Sequence, residues 1–212
     1  LVDNLRVPEE QFNVQARMYG QYHVSQPLTW FNNTDRWTVP EAQTNEQSLP
    51  SEAYYVVMRM PGEPKAEYLL LQPMIAQNRP NMIAWVAARN DPANRGQVRA
   101  YRFPSETTIF GPAQIEARID QDPIISSQIT LWSQAGSSVI RGNLIVVPVG
   151  ESLLYLQPVY LQSTSAAFPE FQKIIVASPS TIVWRDSLGE ALNRLLETQG
   201  GGTPEVTPTP GP

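Results

Sequence analysis

The sequence predicts an α+β fold, mainly antiparallel sheet built from hairpins with about four flanking helices. Three observations carry this. The strand-like runs come in adjacent pairs around Pro/Gly turns, which is the pattern of antiparallel hairpins rather than of strand–helix–strand units. Proline is abundant, with 20 in 212 residues, favouring turns and edge strands over long helices. Helical apolar spacing is confined to a few short segments.

The first of these segments is 8–24. Pro8 suits a first helical position, Glu9 and Glu10 suit a helix N-terminus, and Phe12, Ala16 and Tyr19 recur near helical spacing. Residues 25–50 are rich in Asn, Thr, Pro and Gln and read as an irregular connection anchored by Trp30, Phe31 and Trp37. A hairpin is expected from 53–60 and 68–73 around Pro61-Gly62-Glu63-Pro64. The continuous apolar run 82–88 predicts a buried strand, and 97–103 returns after the turn chemistry of Asp91-Pro92-Ala93-Asn94-Arg95-Gly96.

Helices are expected over 112–121 and from Asp122-Pro123 onward, where Asp caps and Pro takes the first turn. Ile125, Ile129 and Trp132 stripe the second of these, which is expected to end at Ala135-Gly136-Ser137. Residues 139–147 and 153–161 read as a second hairpin, with a turn at 148–151. Residues 171–177 and 181–184 read as shorter strands, and 187–198 as a closing helix with Leu188, Leu192, Leu195 and Leu196 on one face. The tally is some eight strands and four helices, with no internal repeat of fixed period. One domain over 1–198 is expected, followed by a disordered Gly/Pro/Thr-rich tail over 199–212.

Composition narrows function by exclusion. Hydrophobic residues make up 42% of the chain, enough for a sizeable core. The net charge of −5 lacks the basic footprint that nucleic-acid binding needs. With no Cys there is no disulfide, thiol nucleophile, thiolate metal site or iron–sulfur cluster. No run of about 18 apolar residues is present to span a bilayer. The opening Leu1-Val2-Asp3-Asn4 has no Met, so the chain is expected to be a piece of a longer protein.

No catalytic residue, cofactor-binding residue or metal ligand is assigned, and no cofactor is implied. His23 is the one histidine, and beside Tyr19 and Tyr22 near a helix end it reads as a packing residue. Arg89, Arg95, Arg99 and Arg102 read as a solvated hairpin face. The candidate site is built from Glu116, Arg118 and Asp120 with Arg141 and Asn143. The carboxylates of 116–122 could gather round a hard cation or support glycosidic chemistry, or they could be a helix face with Asp122 as a cap. Gly142, between Arg141 and Asn143, marks either a bulge or a close backbone approach. Asn32-Asn33-Thr34 matches a glycosylation sequon.

Several stretches together resemble one family. They are Phe12-Asn-Val-Gln-Ala-Arg-Met-Tyr-Gly-Gln-Tyr-His23, Asn81-Met-Ile-Ala-Trp-Val-Ala-Ala-Arg89, Tyr101-Arg-Phe-Pro104, Gly111-Pro-Ala-Gln-Ile-Glu-Ala-Arg-Ile-Asp-Gln-Asp-Pro123, Leu131-Trp132, Val139-Ile-Arg-Gly-Asn-Leu144, Ser152-Leu-Leu-Tyr155 and Glu190-Ala-Leu192. Over about 8–197 the chain resembles the C-terminal soluble region of uncharacterised protein family 0182, large bacterial and cyanobacterial multi-pass membrane proteins. The resemblance implies a cell-membrane protein with N-terminal transmembrane segments outside this chain, and this domain outside the cytoplasm. It carries no established activity. The expectation is therefore an extracytoplasmic interaction or structural domain with an envelope protein or solute as partner. The alternative is a solute-binding module, for which the acidic balance favours a cation or neutral solute, or an envelope-acting enzyme using the carboxylates of 116–122.

Overall fold

The computed structural model describes residues 5–44, 47–134, 137–149, 152–163 and 168–199. In chain order the elements are α1 (Glu9–Tyr22), α2 (Pro27–Phe31), β1 (Trp37–Thr38), β2 (Glu41–Thr44), β3 (Gln47–Pro50), β4 (Tyr54–Met58), β5 (Glu67–Ala76), β6 (Met82–Arg89), β7 (Val98–Arg102), α3 (Pro112–Gln121), α4 (Pro123–Gln134), β8 (Ser137–Arg141), β9 (Ile145–Val149), β10 (Ser152–Ser163), β11 (Glu170–Ala177), β12 (Ile182–Arg185) and α5 (Leu188–Gln199). The α+β class and the antiparallel pairing are as the sequence predicts.

Two five-stranded antiparallel sheets hold the fold, and they are wired alike. In the first, the order is β1-β5-β6-β7, with β4 on β5 as well. In the second, it is β12-β11-β10-β8, with β9 on β10 as well. Each sheet therefore has one long strand, β5 or β10, whose edge is shared by two short strands. β4 covers Glu67–Leu71 and β1 covers Ile75–Ala76; β9 covers Ser152–Leu156 and β8 covers Val159–Ser163. A Gln-Pro pair, Gln72-Pro73 or Gln157-Pro158, falls in the interval between the two short strands. Proline has no N–H to give to a ladder, so it suits the interval.

The inner faces of both sheets, with Ile115 and Ile119 of α3 and Ile125 of α4, make one core around Trp85 and Tyr155. Alternation along β5 sends Leu69 and Leu71 into it. Leu70 and Met74 point the other way, against Phe12 and Ala16 of α1. On the far face of the second sheet, Val176 and Val183 pack against Ala191 and Leu195 of α5. Gly111 lets α3 start hard against the first sheet, since a Cβ there would lie 1.9 Å from the Pro80 carbonyl oxygen.

Four expectations are corrected. Residues 25–50 are not one irregular connection but hold α2 and three short strands, and of the three aromatics only Trp37 is buried. Residues 139–147 are not one strand: the chain breaks after Arg141, at Gly142, where the backbone runs so close to Pro158 that a Cβ would stand 2.7 Å from its ring. The described residues hold twelve strands and five helices rather than eight and four, and the missed strands are mostly short. The repeated wiring of the two sheets went unseen because connections of different length leave no fixed period. On α5 the buried face is Ala191 and Leu195, while Leu188 and Leu196 are exposed. The helix end at Ala135-Gly136, the turn at Gly150-Glu151 and residues 200–212 of the expected tail lie outside the described residues.

Candidate functional site

Helix α3 presents Glu116 and Asp120 one turn apart, on the side facing β8 and β10. Glu116 is buried, and Asp120 reaches the surface. Arg141, at the end of β8, joins them. Its Nη1 donates to Asp120, while Nε and Nη2 donate to the Gln157 side-chain oxygen at 3.1 and 2.8 Å. The Gln157 amide nitrogen then donates to the Gly142 carbonyl at 3.1 Å and to Glu116 Oε1 at 3.4 Å. The result is a chain of hydrogen bonds, Asp120–Arg141–Gln157–Glu116, that ties α3 to the break between β8 and β9.

The other two candidate residues stand apart from that chain. Arg118 points to the β11–β12 turn, donating to the Pro179 carbonyl at 2.8 Å and the Ser178 carbonyl at 3.4 Å, with its guanidinium 5.8 Å from the Phe110 ring centre. Asn143 lines, with Glu116, Ser51, Tyr54 and Pro112, a cavity of about 20 Å³. That is the size of one water and admits no sugar ring. Asp122 caps α4, its carboxylate accepting from the amides of Ile124 and Ile125 at 3.0 Å each. In this arrangement the charged groups of 116–122 contact neighbouring helices, strands and turns.

Gln157 is the member the sequence reading missed. The signal was there: Leu153, Tyr155, Gln157 and Val159 share the inward line of β10, and a lone amide in an apolar line is a buried polar group in need of partners. Gln72 meets the same need on the first sheet. Its amide donates to the Ser51 carbonyl at 3.4 Å and hydroxyl at 3.3 Å. Alternation puts Gln72 on the α1 side of its sheet and Gln157 on the core side, so only Gln157 meets α3.

Two other expectations about ionisable groups come out differently from each other. Arg89 does not lie on a solvated face. It is buried and gripped by Glu67 through two hydrogen bonds, with Glu63 at 3.6 Å, and this pairing holds the Glu67 carboxyl below its usual range. His23 is a packing residue: its Nδ1 meets the Tyr19 and Gly20 carbonyls at 3.1 and 3.2 Å, and its ring packs 4.2 Å from Trp37.

The surface carries a separate feature. Val14, Met18 and Tyr22 recur every four residues along α1 and are all more than half exposed. The chain continues into α2, which buries nothing and exposes Leu28, Trp30 and Phe31.

Comparison with known proteins gives the relationship. The model of the uncharacterised protein family UPF0182 matches residues 1–132. The chain belongs to this family. A UPF0182 protein of Desulforamulus reducens is 48% identical over 195 residues, covering 92% of this chain and 21% of the relative. One from Salinibacter ruber is 45% identical over 94% of this chain and 21% of its own length, and one from Moorella thermoacetica is 42% identical over the whole chain and 23% of its own length. The chain thus spans about a fifth of the length of the UPF0182 relatives it matches. No solved structure matches it.

Proposed function

We propose that this region of UPF0182 is an extracytoplasmic interaction domain of an integral membrane protein, and that its α1–α2 face docks on the rest of the same polypeptide. The observation that carries the docking is the exposure of large apolar side chains along α1 and α2. Scattered exposed apolar residues are ordinary, but six large ones gathered on two consecutive helices are not. A five-residue helix that buries none of its Leu, Trp and Phe gains nothing for the fold by carrying them. The occupant follows from length: the relatives have about four fifths of their chain outside the region matched here. The location outside the cytoplasm rests on the family resemblance. No helix among the described residues is long and apolar enough to cross a membrane.

The test is site-specific photo-crosslinking in the full-length parent. A photoreactive residue at Phe31 or Met18 is expected to cross-link within the same polypeptide, to segments outside this region. The same residue at Leu196, equally exposed on α5, is the control. Cross-linking no more frequent at Phe31 and Met18 than at Leu196 contradicts the docking.

A further inference from the structure

A cleft of about 1000 Å³ opens at the end of the first sheet, between the segment leading into β1, the β5–β6 turn and the segment after β7. It is far larger than the space beside Glu116 and falls within the range of small-molecule sites. Its charges invert those of the chain. The whole protein carries −5, yet Arg36, Arg79 and Arg102 line the cleft against Asp35 alone, a local surplus of two positive charges. Asp35 is already engaged, 3.3 Å from Arg102 and 3.8 Å from His23 Nε2, and Arg102 lies 4.8 Å over the Trp37 ring. Arg36 and Arg79 form no ion pair among the described residues. Guanidinium forks of this kind match carboxylate and phosphate oxygens.

Asn33 and Asn78 also line the cleft, and they are the two described non-glycine residues with positive φ, at 54° and 63°. Asparagine enters that left-handed region more readily than other non-glycine residues, which suits both to tight turns.

We propose that this cleft binds a small anionic solute through its carboxylate or phosphate group, with Arg36 and Arg79 on the anion. The site is independent of the α1–α2 docking face and survives its failure.

The experiment is calorimetric titration of the purified chain with glucuronate, glucose 6-phosphate and glucose, repeated with Arg79→Glu. Arg79 is exposed and its side chain forms no ion pair among the described residues, so this variant keeps its structure. Saturable binding of either anion is expected, with no response to glucose, weakening with added salt and roughly tenfold weaker binding in the variant. Which anion binds identifies the charged group as carboxylate or phosphate. Three results overturn the proposal: neither anion binding at millimolar concentration, glucose binding as well as the anions, or Arg79→Glu binding like the parent.

Discussion

The phenolic oxygen of Tyr54 donates to the Val146 carbonyl at 3.0 Å and accepts from the Val146 amide at 3.1 Å. One buried hydroxyl thus satisfies both backbone groups of a residue in β9, and it does so from β4, in the other sheet. Tyr54 and Val146 join the two similarly wired halves through polar atoms, 92 residues apart. Burial pushes the phenol upward, so it stays protonated and keeps its proton for the carbonyl.

Tyr54→Phe keeps the ring and removes both bonds, leaving the Val146 amide and carbonyl buried without that partner. The expected loss is roughly 2–3 kcal/mol, the cost of stranding buried polar groups. Urea denaturation should show a lower midpoint at unchanged slope. A loss under about 0.5 kcal/mol would mean that the two halves do not depend on this contact.

Gln157 and Gln72 occupy matching intervals but unequal surroundings, and their substitutions should differ. Gln157→Leu strands the inner side of Arg141 and the Gly142 carbonyl, and takes a donor from Glu116. It should cost roughly 3 kcal/mol, since a half-satisfied buried network is worse than none. Gln72→Leu releases the Ser51 carbonyl and hydroxyl and the Pro73 carbonyl, none of them charged, and should cost roughly 1 kcal/mol. Equal losses in parallel urea titrations would contradict the account of the Asp120–Glu116 chain.

Acid stability follows from Glu67. Its hydrogen bonds to Arg89 hold its carboxyl below the usual range, so the folded state binds the proton less readily than the unfolded one. Stabilisation from this pair is complete above the ordinary carboxylate range. It is lost as pH falls through that range to the lowered folded value. Glu67→Ala should cost roughly 3 kcal/mol at neutral pH, because it leaves a buried guanidinium with Glu63 alone among its carboxylates. It should also flatten the fall in stability with acid. Melting temperatures across pH 3–7, read for both proteins, check the sign; an equally steep fall in the variant would assign the acid sensitivity to other carboxylates.

Local chemistry was legible in the sequence where one segment decides its own structure. The Asp122-Pro123 cap, the Pro61–Pro64 turn and the buried run of β6 stand where their residues place them. What escaped depends on meetings between distant segments. The position after β8 has to be glycine because Pro158, 16 residues on, fills the space of a Cβ at 142. Arg89 looked like one of four surface arginines until Glu67, from the preceding strand, proved to be its neighbour. Within the candidate site, Glu116, Asp120 and Arg141 do come together, but the residue that joins them, Gln157, is chosen by strand register rather than by any local motif. The cleft was hidden for the same reason: Asp35 and Arg102 are 67 residues apart.

The central claim, an interaction domain held outside the cytoplasm, is tested most directly by paired reporters at the C-terminus of the full-length parent. One fusion carries alkaline phosphatase, which is active only after export. The other carries a fluorescent protein that matures only in the cytoplasm. An active phosphatase with a dark fluorophore is the predicted result. A fluorescent fusion with an inactive phosphatase would contradict the claim, place the domain on the cytoplasmic side, and turn the search for partners to the cytosol.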